Sequence, residues 1–548
     1  MTSGWSNWVQ PQASHWDVSL DTDVLVIGGS LAGAWAALKA REQGARVVIV
    51  DKGFIGTAGA AAPANVGGYY ADPSNPEQTR KAVLSRHDSA CGMDDLAWIE
   101  RVYTDSFKAY TDLERLGFQY QSRPNGLAQK GRFIGGYTLH FLRKALKRAG
   151  VKILDHSPAL ELLRDEQGQV CGASGVTRQP VGRWIVTAGA VVAATGGGSF
   201  LSGAMGTRGL TFDGHLMAME AGASIVNMEF STLYGYAPLR SPSTKGFLYA
   251  YASFYDGQRR ALQHGPAREA MEIVARSMLE TGGAYAILDK APEGFEAWAR
   301  LNHAVSFLYF DRLGINPFKQ LWPIHMLLEG HTRGVGGVAV DRQGSTGVAG
   351  LYAAGDLTDR LPLTGANMSG GGPAVAWCFA SGQWAGQSAA QFALEHSTHT
   401  GALQALGSTG LRAQRDAQPD CAAPASALVR EQMLPLDKHF FRDADSLTAT
   451  QQTLDQAWQH SQQHLAPTDT SQALACRESA ALQACARWTV ASALARKESR
   501  GLHRRQDFAE QDPAQSDDVY VHQGMSSVQP VRQHRLAPEL QPSLEPVC

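Results

Sequence analysis

The sequence lacks several features that mark common classes of protein. Its seven cysteines include no C-x2-C pair, a pattern that predicts reduced thiols and neither an iron–sulfur nor a zinc site. No apolar run approaches the roughly 18 residues that a membrane-spanning helix needs. The formal net charge of -2 at pH 7 gives no electrostatic case for binding nucleic acid or a membrane surface.

Basic residues are also missing from the beginning of the chain. The first lysine or arginine is Lys39, so the sequence shows neither the basic segment of a signal peptide nor a twin-arginine signal. Together with the reduced cysteines, this predicts a cytoplasmic protein. The length of 548 residues, with 44% hydrophobic and 18% charged residues, is typical of a globular protein with more than one domain.

Near the N-terminus, the order of apolar and helical stretches predicts a βαβ unit. The stretch reads DVLVIGGSLAGAWAALKAREQGARVVIVD. A short apolar run at residues 24–27 ends in glycine, a helical stretch follows, and a second apolar run at residues 47–50 ends at Asp51. Strand, tight turn, helix, strand and acid in this order are typical of a dinucleotide-binding unit.

The residues at this turn have the spacing that a dinucleotide requires. Gly28 allows the tight turn, Gly33 packs the helix onto the sheet, and Ser30, in place of the usual middle glycine, is small enough for a pyrophosphate to approach. The helix N-terminus would offer its unpaired N–H groups to the phosphates. Asp51 is placed to accept from an adenosine ribose hydroxyl, and Lys52 beside it is a further candidate. The alternative is a glycine turn in an α/β sheet without a ligand.

Two later stretches favour FAD over NAD as the dinucleotide. AVVAATGGGS predicts a buried strand that runs into Thr195 and Gly196, and GLYAAGDL predicts a strand that ends at Gly355 and Asp356. An enzyme that holds FAD extended needs the chain to return to the cofactor far from the N-terminal unit. Asp356 would hold the ribityl hydroxyls, whereas NAD-binding units do not require this return. We therefore expect FAD.

With these three pieces in this order, the chain resembles the fumarate reductase/succinate dehydrogenase flavoprotein superfamily, which also includes L-aspartate oxidase and the adenylylsulfate reductase flavoprotein subunit. Residues 211–230, TFDGHLMAMEAGASIVNMEF, resemble the family's T-G-D-G-x-x-M-A…M-E-F stretch. Residues 335–341, VGGVAVD, resemble its M-G-G-I segment, and residues 495–508, ARKESRGLHRRQDF, resemble its R-K-E-S-R-G-x-H-x-R signature. These matches cover nearly the whole chain.

The resemblance implies an α/β architecture. A Rossmann-like FAD-binding domain would be interrupted by an α+β capping domain and followed by a C-terminal helical region. The FAD-binding domain would comprise residues 1–230 and 330–395, with the capping domain at 231–329. Residues 396–425 would be a linker, and residues 426–548 the helical region and tail. The active site would lie between the cap and the flavin.

The flavin is expected to be bound noncovalently. Many members of the superfamily attach FAD through a histidine shortly after the first acid. Here no histidine occurs between His15 and His87. Thr57, in the glycine- and alanine-rich stretch that follows the acid, is expected to line the phosphate or the ring.

The stretch TGANMSGGG, residues 364–372, sets this chain apart from the dicarboxylate enzymes of the family. The backbone of Ser369, Gly370 and Gly371 would bring a helix N-terminus to the flavin ring, where its positive end favours the reduced flavin. Where the family has an arginine that holds a substrate carboxylate, this chain has Met368. A methionine cannot bind a carboxylate, so the substrate is expected not to be a dicarboxylate.

Three residues are the candidates for catalysis: His331, Arg333 and Tyr234. His331 lies near the position of the family's active-site histidine. Its spacing to the following glycine pair resembles that of the adenylylsulfate reductase subunit more than that of fumarate reductase. Tyr234 stands where the family has a histidine, and its alternative role is packing. The alternative role of Arg333 is to pair with an acid. For the proton-donating cap arginine of fumarate reductases, Arg268 and Arg276 are both candidates.

The resulting functional prediction is an FAD-dependent oxidoreductase that moves a hydride between flavin and a small organic substrate, with His331 or Tyr234 handling the proton. One alternative is an oxidase or oxygenase that uses O2. Another is a flavoprotein subunit that passes electrons to a partner protein, as in adenylylsulfate reductase. No metal, no nucleic acid and no membrane insertion are expected.

Overall fold

The structure is a computed structural model that describes residues 8–9, 16–121, 129–244, 246–265, 267–368, 371–396, 401–412, 422–525 and 528–534. Its strands are β1 (Trp8–Val9), β2 (Val18–Ile27), β3 (Val47–Val50), β4 (Asn65–Gly67), β5 (Arg132–Ile134), β6 (Lys152–Leu154), β7 (Ala159–Arg164), β8 (Val170–Arg178), β9 (Val181–Ala193), β10 (Ile225–Val226), β11 (Tyr234–Pro238), β12 (Ser253–Asp256), β13 (Ala284–Ile287), β14 (Trp322–Leu328), β15 (Gly337–Val338), β16 (Leu351–Ala353), β17 (Leu403–Ala405), β18 (Asp518–His522) and β19 (Val531–His534). Its α-helices are α1 (Leu31–Glu42), α2 (Pro76–Asp88), α3 (Leu96–Arg115), α4 (Gly135–Arg148), α5 (Asp213–Ala221), α6 (Gly246–Tyr249), α7 (Ala267–Thr281), α8 (Phe295–Asn302), α9 (Leu308–Leu313), α10 (Leu361–Thr364), α11 (Gly372–Glu395), α12 (Ala422–Met433), α13 (Ala444–His464) and α14 (Ala473–Ala495).

The largest sheet has the strand order β1-β17-β7-β8-β9-β2-β3-β6, with β16 also paired to β9. Strands β16, β9, β2, β3 and β6 run parallel to their neighbours in this group. Their carboxyl ends therefore meet at one edge of the sheet, the usual place for a ligand in a doubly wound fold. β2 and β3 form the βαβ unit that the sequence predicts, and β3 and residues 24–27 of β2 are apolar because helices cover this part of the sheet.

Helices α1 and α11 pack very closely against each other. A Cβ at Gly382 of α11 would lie 2.6 Å from the carbonyl oxygen of Ala32, and one at Gly386 would lie 2.3 Å from that of Ala36. Only glycine at these two positions allows the helix backbones to approach this far. The contact places the middle of α11 beside the helix of the βαβ unit, although the two are more than 300 residues apart in the chain.

A second, antiparallel sheet has the order β11-β14-β13-β12. All four strands fall within residues 231–329, the segment for which the sequence predicts a capping domain, and so do helices α6 to α9. Aromatic rings fill the sheet's interior, with the ring of Tyr236 5.0 Å from Tyr249 and 4.9 Å from Phe254. The boundaries of the domains stay predictions.

The C-terminal part of the chain is less purely helical than the sequence predicts. Helices α13 and α14 bury the apolar faces that carry Leu454 and Trp488. However, β18 pairs with both β19 and β10, so the tail extends a small sheet. In addition, β17 lies inside the predicted linker of residues 396–425 and pairs with β7. Strands this short have no recognisable alternation of polar and apolar residues, which is why the sequence pattern does not reveal them.

Candidate functional site

A cavity of about 410 Å³ lies at the carboxyl ends of the parallel strands β2, β3 and β9. Small residues form much of its wall, including an alanine-rich run at residues 60–62. Of the residues that the sequence predicts to bind the cofactor, these line the cavity: Gly28, Ser30, Asp51, Lys52, Thr57, Thr195, Gly196, Gly355 and Asp356.

The first glycines of the motif have distinct structural roles. Gly28 has a φ of +107°, and a Cβ there would lie 2.3 Å from the carbonyl oxygen of Ala194. Gly33 does not line the cavity, because it packs helix α1 onto the strand: a Cβ there would lie 1.8 Å from the carbonyl oxygen of Gly28. Ser30 precedes the first residue of α1, whose N-terminal N–H groups are available to an anion.

Asp51 stands at the end of β3 with both carboxylate oxygens already engaged. They accept hydrogen bonds from the backbone N–H groups of Gly29 and Gly53, each at 2.7 Å. Burial raises the pKa of this carboxyl, while the two backbone donors oppose the shift. Because each carboxylate oxygen has two lone pairs, Asp51 retains the capacity to accept from a ribose hydroxyl.

Lys52 connects the cavity wall to two other parts of the chain. Its Nζ lies 2.6 Å from Asp213 of α5 and 2.7 Å from Glu478 of α14, and it donates to Thr211 at 2.7 Å. Burial opposes protonation, but Asp213 and Glu478 outweigh it and raise the pKa of the ammonium. Sequence reasoning missed Glu478, because no motif marks a contact between residues 426 positions apart.

Near the far end of the cavity, Asp356 accepts a hydrogen bond at 2.7 Å from the buried guanidinium of Arg360. Thr195 has a buried hydroxyl that makes no hydrogen bond within the described part of the chain. An orphaned polar atom in the wall of a cavity fits a bound polar ligand. Cys378 also lines the cavity, and burial raises the pKa of its thiol, so this thiol is not a ready nucleophile at neutral pH.

Of the three loop residues predicted to approach the flavin ring, Ser369 and Gly370 lie outside the described residues. Gly371 is the N-cap of α11, and it is not among the residues that line the cavity. The segment before this loop is held by Arg86, which is buried and donates to the carbonyl oxygens of Thr364 and Asn367 at 3.3 Å and 3.1 Å.

Met368 is buried among apolar side chains. Its side chain is 5% exposed, and it belongs to one hydrophobic cluster with residues from four separate segments. The buried members of this cluster are Met93, Phe230, Val335, Leu361, Ala366, Met368, Ala374 and Leu502. Met368, which the sequence resemblance aligns with the family's carboxylate-binding arginine, therefore lies in the hydrophobic core.

His331 lies in a short 3₁₀ turn, Gly330–Thr332, directly after β14, and its side chain is fully buried. The ring contacts Phe212 edge-on at 5.7 Å between centroids, and its Nε2 lies 3.4 Å from the hydroxyl of Thr489. Burial lowers the pKa of His331 to about 3, and the nearby His215 and Arg442 act in the same direction. The imidazole is therefore neutral at pH 7, and it does not line the cavity described above.

Tyr234 opens β11 and is likewise buried. Its ring lies 5.4 Å from Phe440 and 6.5 Å from His439. Within the described residues, the hydroxyls of Tyr234 and Tyr236 have no hydrogen-bond partner. Burial raises the pKa of both hydroxyls, so both stay protonated at neutral pH. Tyr234 and His331 approach the same group of rings, which Phe200 links through its contacts with Phe212 and His439.

Arg333 contacts a different set of residues from His331 and Tyr234. It forms an ion pair with Glu329, which also accepts a hydrogen bond from Thr244 of the cap segment. Arg333 further donates to the carbonyl oxygen of Met205 at 3.0 Å, and the next residue, Gly206, lines the cavity. The guanidinium is thus positioned between the cavity and the cap, with its charge balanced by one acid.

The structure does not identify either of the two candidate cap arginines as a site residue. Arg276 is half exposed, pairs with Glu272 at 3.0 Å and stacks on Phe441 with its guanidinium 4.5 Å from the ring centre. It therefore belongs to the surface contact between the cap and the C-terminal region. The side chain of Arg268 lies outside the described residues.

The C-terminal signature forms a buried ion network with the M-E-F segment. Arg496 lies 2.7 Å from Glu229 and 2.8 Å from Glu498, and all three side chains are fully buried. Arg442 donates to the carbonyl oxygen of Glu229 at 2.8 Å and to the hydroxyl of Ser231 at 2.7 Å, and burial lowers its pKa to about 9. This part of the signature is therefore structural, because it fixes the segment that leads into Tyr234.

Within the residues that the structure describes, no group of three or more histidine, cysteine, aspartate or glutamate side chains is arranged to hold a metal ion. Across the same residues, none of the helices is both long enough and apolar enough to cross a membrane.

Two family models match the chain. The model described as FAD binding domain matches residues 23–238, and the model described as Fumarate reductase flavoprotein C-term matches residues 432–542. The chain belongs to the fumarate reductase/succinate dehydrogenase flavoprotein superfamily. It is an FAD-dependent oxidoreductase, and the glycine turn, the acid and the orphaned Thr195 hydroxyl of the cavity fit this cofactor.

Individual relatives of the flavoprotein agree with this assignment. L-aspartate oxidase of Streptomyces coelicolor is 26% identical over 543 residues, covering 91% of this chain and 90% of that protein. The structure of Mycobacterium smegmatis Sdh1 in complex with UQ1 matches with a TM-score of 0.77 and 20% identity, covering 95% of both chains. Adenylylsulfate reductase from Archaeoglobus fulgidus matches with a TM-score of 0.75 and 16% identity, covering 97% of this chain and 98% of that one. At these identities, the two structures show the shared fold.

Proposed function

We propose that the flavoprotein is a dehydrogenase or reductase that moves a hydride between noncovalent FAD and a small organic substrate with at most one carboxylate. The observation that carries this proposal is the burial of Met368 in an apolar cluster, where dicarboxylate enzymes of the superfamily have an arginine. A thioether is at most a weak hydrogen-bond acceptor, so it cannot replace the charged donors that a second carboxylate requires.

The electrostatics around Tyr234 support the same substrate class. Burial lowers the pKa of His331 to about 3 and that of His439 well below its ordinary value, so both rings are neutral. Arg442 and Arg504 carry the nearby positive charge. Arg442 directs donors to the carbonyl oxygens of Glu229 and His439, and Arg504 donates to the hydroxyl of Thr232 at 2.7 Å. Because these donors are directed at groups of the protein itself, the cluster favours a substrate with few anionic groups.

The proposed roles follow from these environments. When bound, FAD accepts or donates the hydride. Arg333 would orient the substrate from the cap side, since Glu329 and the carbonyl oxygen of Met205 fix its guanidinium. Tyr234 would donate a proton or a hydrogen bond, because its hydroxyl stays protonated, and the neutral imidazole of His331 would accept a hydrogen bond.

The matching relatives named L-aspartate oxidase define the competing possibility, a substrate with two carboxylates. The test is anaerobic flavin spectroscopy of the holoenzyme. Oxidised enzyme mixed with L-aspartate, and reduced enzyme mixed with fumarate, should both keep their spectra, while at least one member of a panel of monocarboxylates and neutral metabolites should change them. Reoxidation of the same reduced enzyme by ferricyanide shows that its flavin is competent. Rapid bleaching by L-aspartate, or rapid reoxidation by fumarate, would contradict the proposal.

The electron acceptor is decided by a second measurement on the same sample. Photoreduced holoenzyme is mixed with air, and the oxidised flavin spectrum is followed. A dehydrogenase should keep reduced flavin for many turnover times. Return of the oxidised spectrum within one turnover time would instead favour the oxidase alternative.

A further inference from the structure

Five charged side chains line the FAD cavity: Asp51, Lys52, Arg208, Asp213 and Asp356. Four of them have partners within the protein. Asp51 accepts from two backbone N–H groups, Lys52 and Asp213 pair with each other, and Asp356 pairs with Arg360. Arg208 is exposed and makes no ion pair or hydrogen bond with the described residues.

The loop that carries Arg208 is firmly held against the cavity. Thr207 donates from its backbone and its hydroxyl to the carbonyl oxygen of Ala204, and Leu210 donates back to the carbonyl oxygen of Thr207. Gly206 packs on the opposite wall, since a Cβ there would lie 3.0 Å from the Cα of Ala60. Arg208 therefore projects from a tight turn whose neighbours on both sides also line the cavity.

The balance of charges on the cavity wall determines what Arg208 can contribute to cofactor binding. Three acids line the cavity, and one of the two cations, Lys52, is shared between Asp213 and Glu478. FAD brings a diphosphate with two negative charges into this predominantly acidic surrounding. The N-terminus of α1 contributes partial positive charge, and Arg208 is the full positive charge on the wall that no described residue neutralises.

We propose that Arg208 binds the diphosphate of FAD through its guanidinium. Paired N–H donors match phosphate oxygens in a fork geometry that lysine lacks. The cofactor would then be held from two sides, by the backbone of α1 and by the side chain of Arg208. This role adds a cofactor-binding residue that the glycine motif does not indicate.

The test compares Arg208→Gln, Arg208→Lys and wild-type holoenzyme, with Arg148→Gln as the matched control. Arg148 is an exposed arginine in the last turn of α4, away from the cavity wall. On serial dilution, flavin fluorescence reports release of FAD and gives Kd. We expect Arg208→Gln to raise Kd by about 10- to 100-fold and Arg208→Lys to raise it less, while Arg148→Gln leaves it unchanged.

A second readout addresses the phosphates directly. In ³¹P NMR spectra of bound FAD, Arg208→Gln should shift the diphosphate resonances, and the increase of Kd with ionic strength should be shallower than in the wild type. A Kd within twofold of the wild-type value would overturn the proposal. Weaker binding with unchanged ³¹P resonances would also overturn it, since that result indicates a contact with another part of FAD. If Arg208→Gln does not fold, the same two measurements on Arg208→Lys decide.

Discussion

The ammonium of Lys52 lies 2.7 Å from the carboxylate of Glu478, although the two residues are 426 positions apart in the chain. Lys52 directly follows the acid of the βαβ unit, and Glu478 is on α14 of the C-terminal region. Because Lys52 also lines the cavity at the carboxyl ends of β2, β3 and β9, the contact joins this candidate cofactor site to α14.

We predict that Glu478→Gln lowers the thermal midpoint of the holoenzyme modestly. The side chains of Lys52 and Glu478 are 22% and 27% exposed, so solvent screens the pair and its loss should cost about 1 kcal/mol. Glu431→Gln, at an exposed position on α12, is the control and should leave the midpoint unchanged. In a double-mutant cycle with Lys52→Met, additive effects would show that the pair does not interact.

The sequence is sufficient to bring the residues of this cavity together, because they lie in contiguous motifs at strand ends. Gly28, Asp51, Thr195 and Asp356 each follow an apolar run, and all four line one cavity. The carboxyl ends of parallel strands meet in space, so a one-dimensional pattern is sufficient to place such residues together.

The sequence does not predict the surroundings of the candidate catalytic residues. Nothing adjacent to His331 indicates that its ring meets Phe212 and Thr489, because those contacts depend on how α5 and α14 pack. The pairing of Arg333 with Glu329 is a local i, i+4 contact, and the sequence offers pairing with an acid only as an alternative role for Arg333. Side-chain direction in a turn is set by tertiary packing, which motif spacing does not record.

Gly198 should be intolerant of even one added methyl group. A Cβ there would lie 2.3 Å from the ring of Phe212, which is 1% exposed and packs against Phe200. Phe212 itself has a φ of 64°, where the family's motif has glycine, so its backbone gives little freedom to retreat. Gly198→Ala is therefore expected to destabilise the protein by about 1–3 kcal/mol, measured by denaturant unfolding.

The control for this prediction is Gly246→Ala, where a Cβ meets nothing within 4 Å. If the clash with the ring is the cause, Gly198→Ala should be less harmful in a Phe212→Leu background. Equal destabilisation in both backgrounds would exclude the ring as the cause.

Buried neutral histidines should make the protein sensitive to acid. Burial lowers the pKa of His215 and His331 to about 3 and that of His522 to about 4, whereas an unfolded histidine titrates near 6.5. Between about pH 6.5 and 4 the unfolded state binds more protons, so the free energy of unfolding falls as the pH falls. Each such histidine should contribute about 1.4 kcal/mol per pH unit.

Urea unfolding at a series of pH values tests this expectation. His331→Gln removes one titrating group and should flatten the dependence by about 1.4 kcal/mol per pH unit. His396→Gln, at an exposed position after α11, should leave it unchanged. The same slope in wild type and His331→Gln would show that His331 is already protonated in the folded protein across this range.

Substitutions of Met368 distinguish a role in core packing from a role in excluding dicarboxylate substrates. Met368→Leu keeps an apolar side chain of similar volume and should retain FAD, thermal midpoint and turnover. Met368→Arg restores the residue of the dicarboxylate enzymes but buries a guanidinium among Phe230, Val335 and Leu502, so we expect a clearly lower midpoint. Met368→Arg should also fail to let reduced flavin be reoxidised by fumarate, because Tyr234 leaves a second carboxylate-binding position without its histidine. Anaerobic stopped-flow absorbance checks this, and a fumarate-dependent rate in the Arg variant would show that residue 368 alone excludes dicarboxylates.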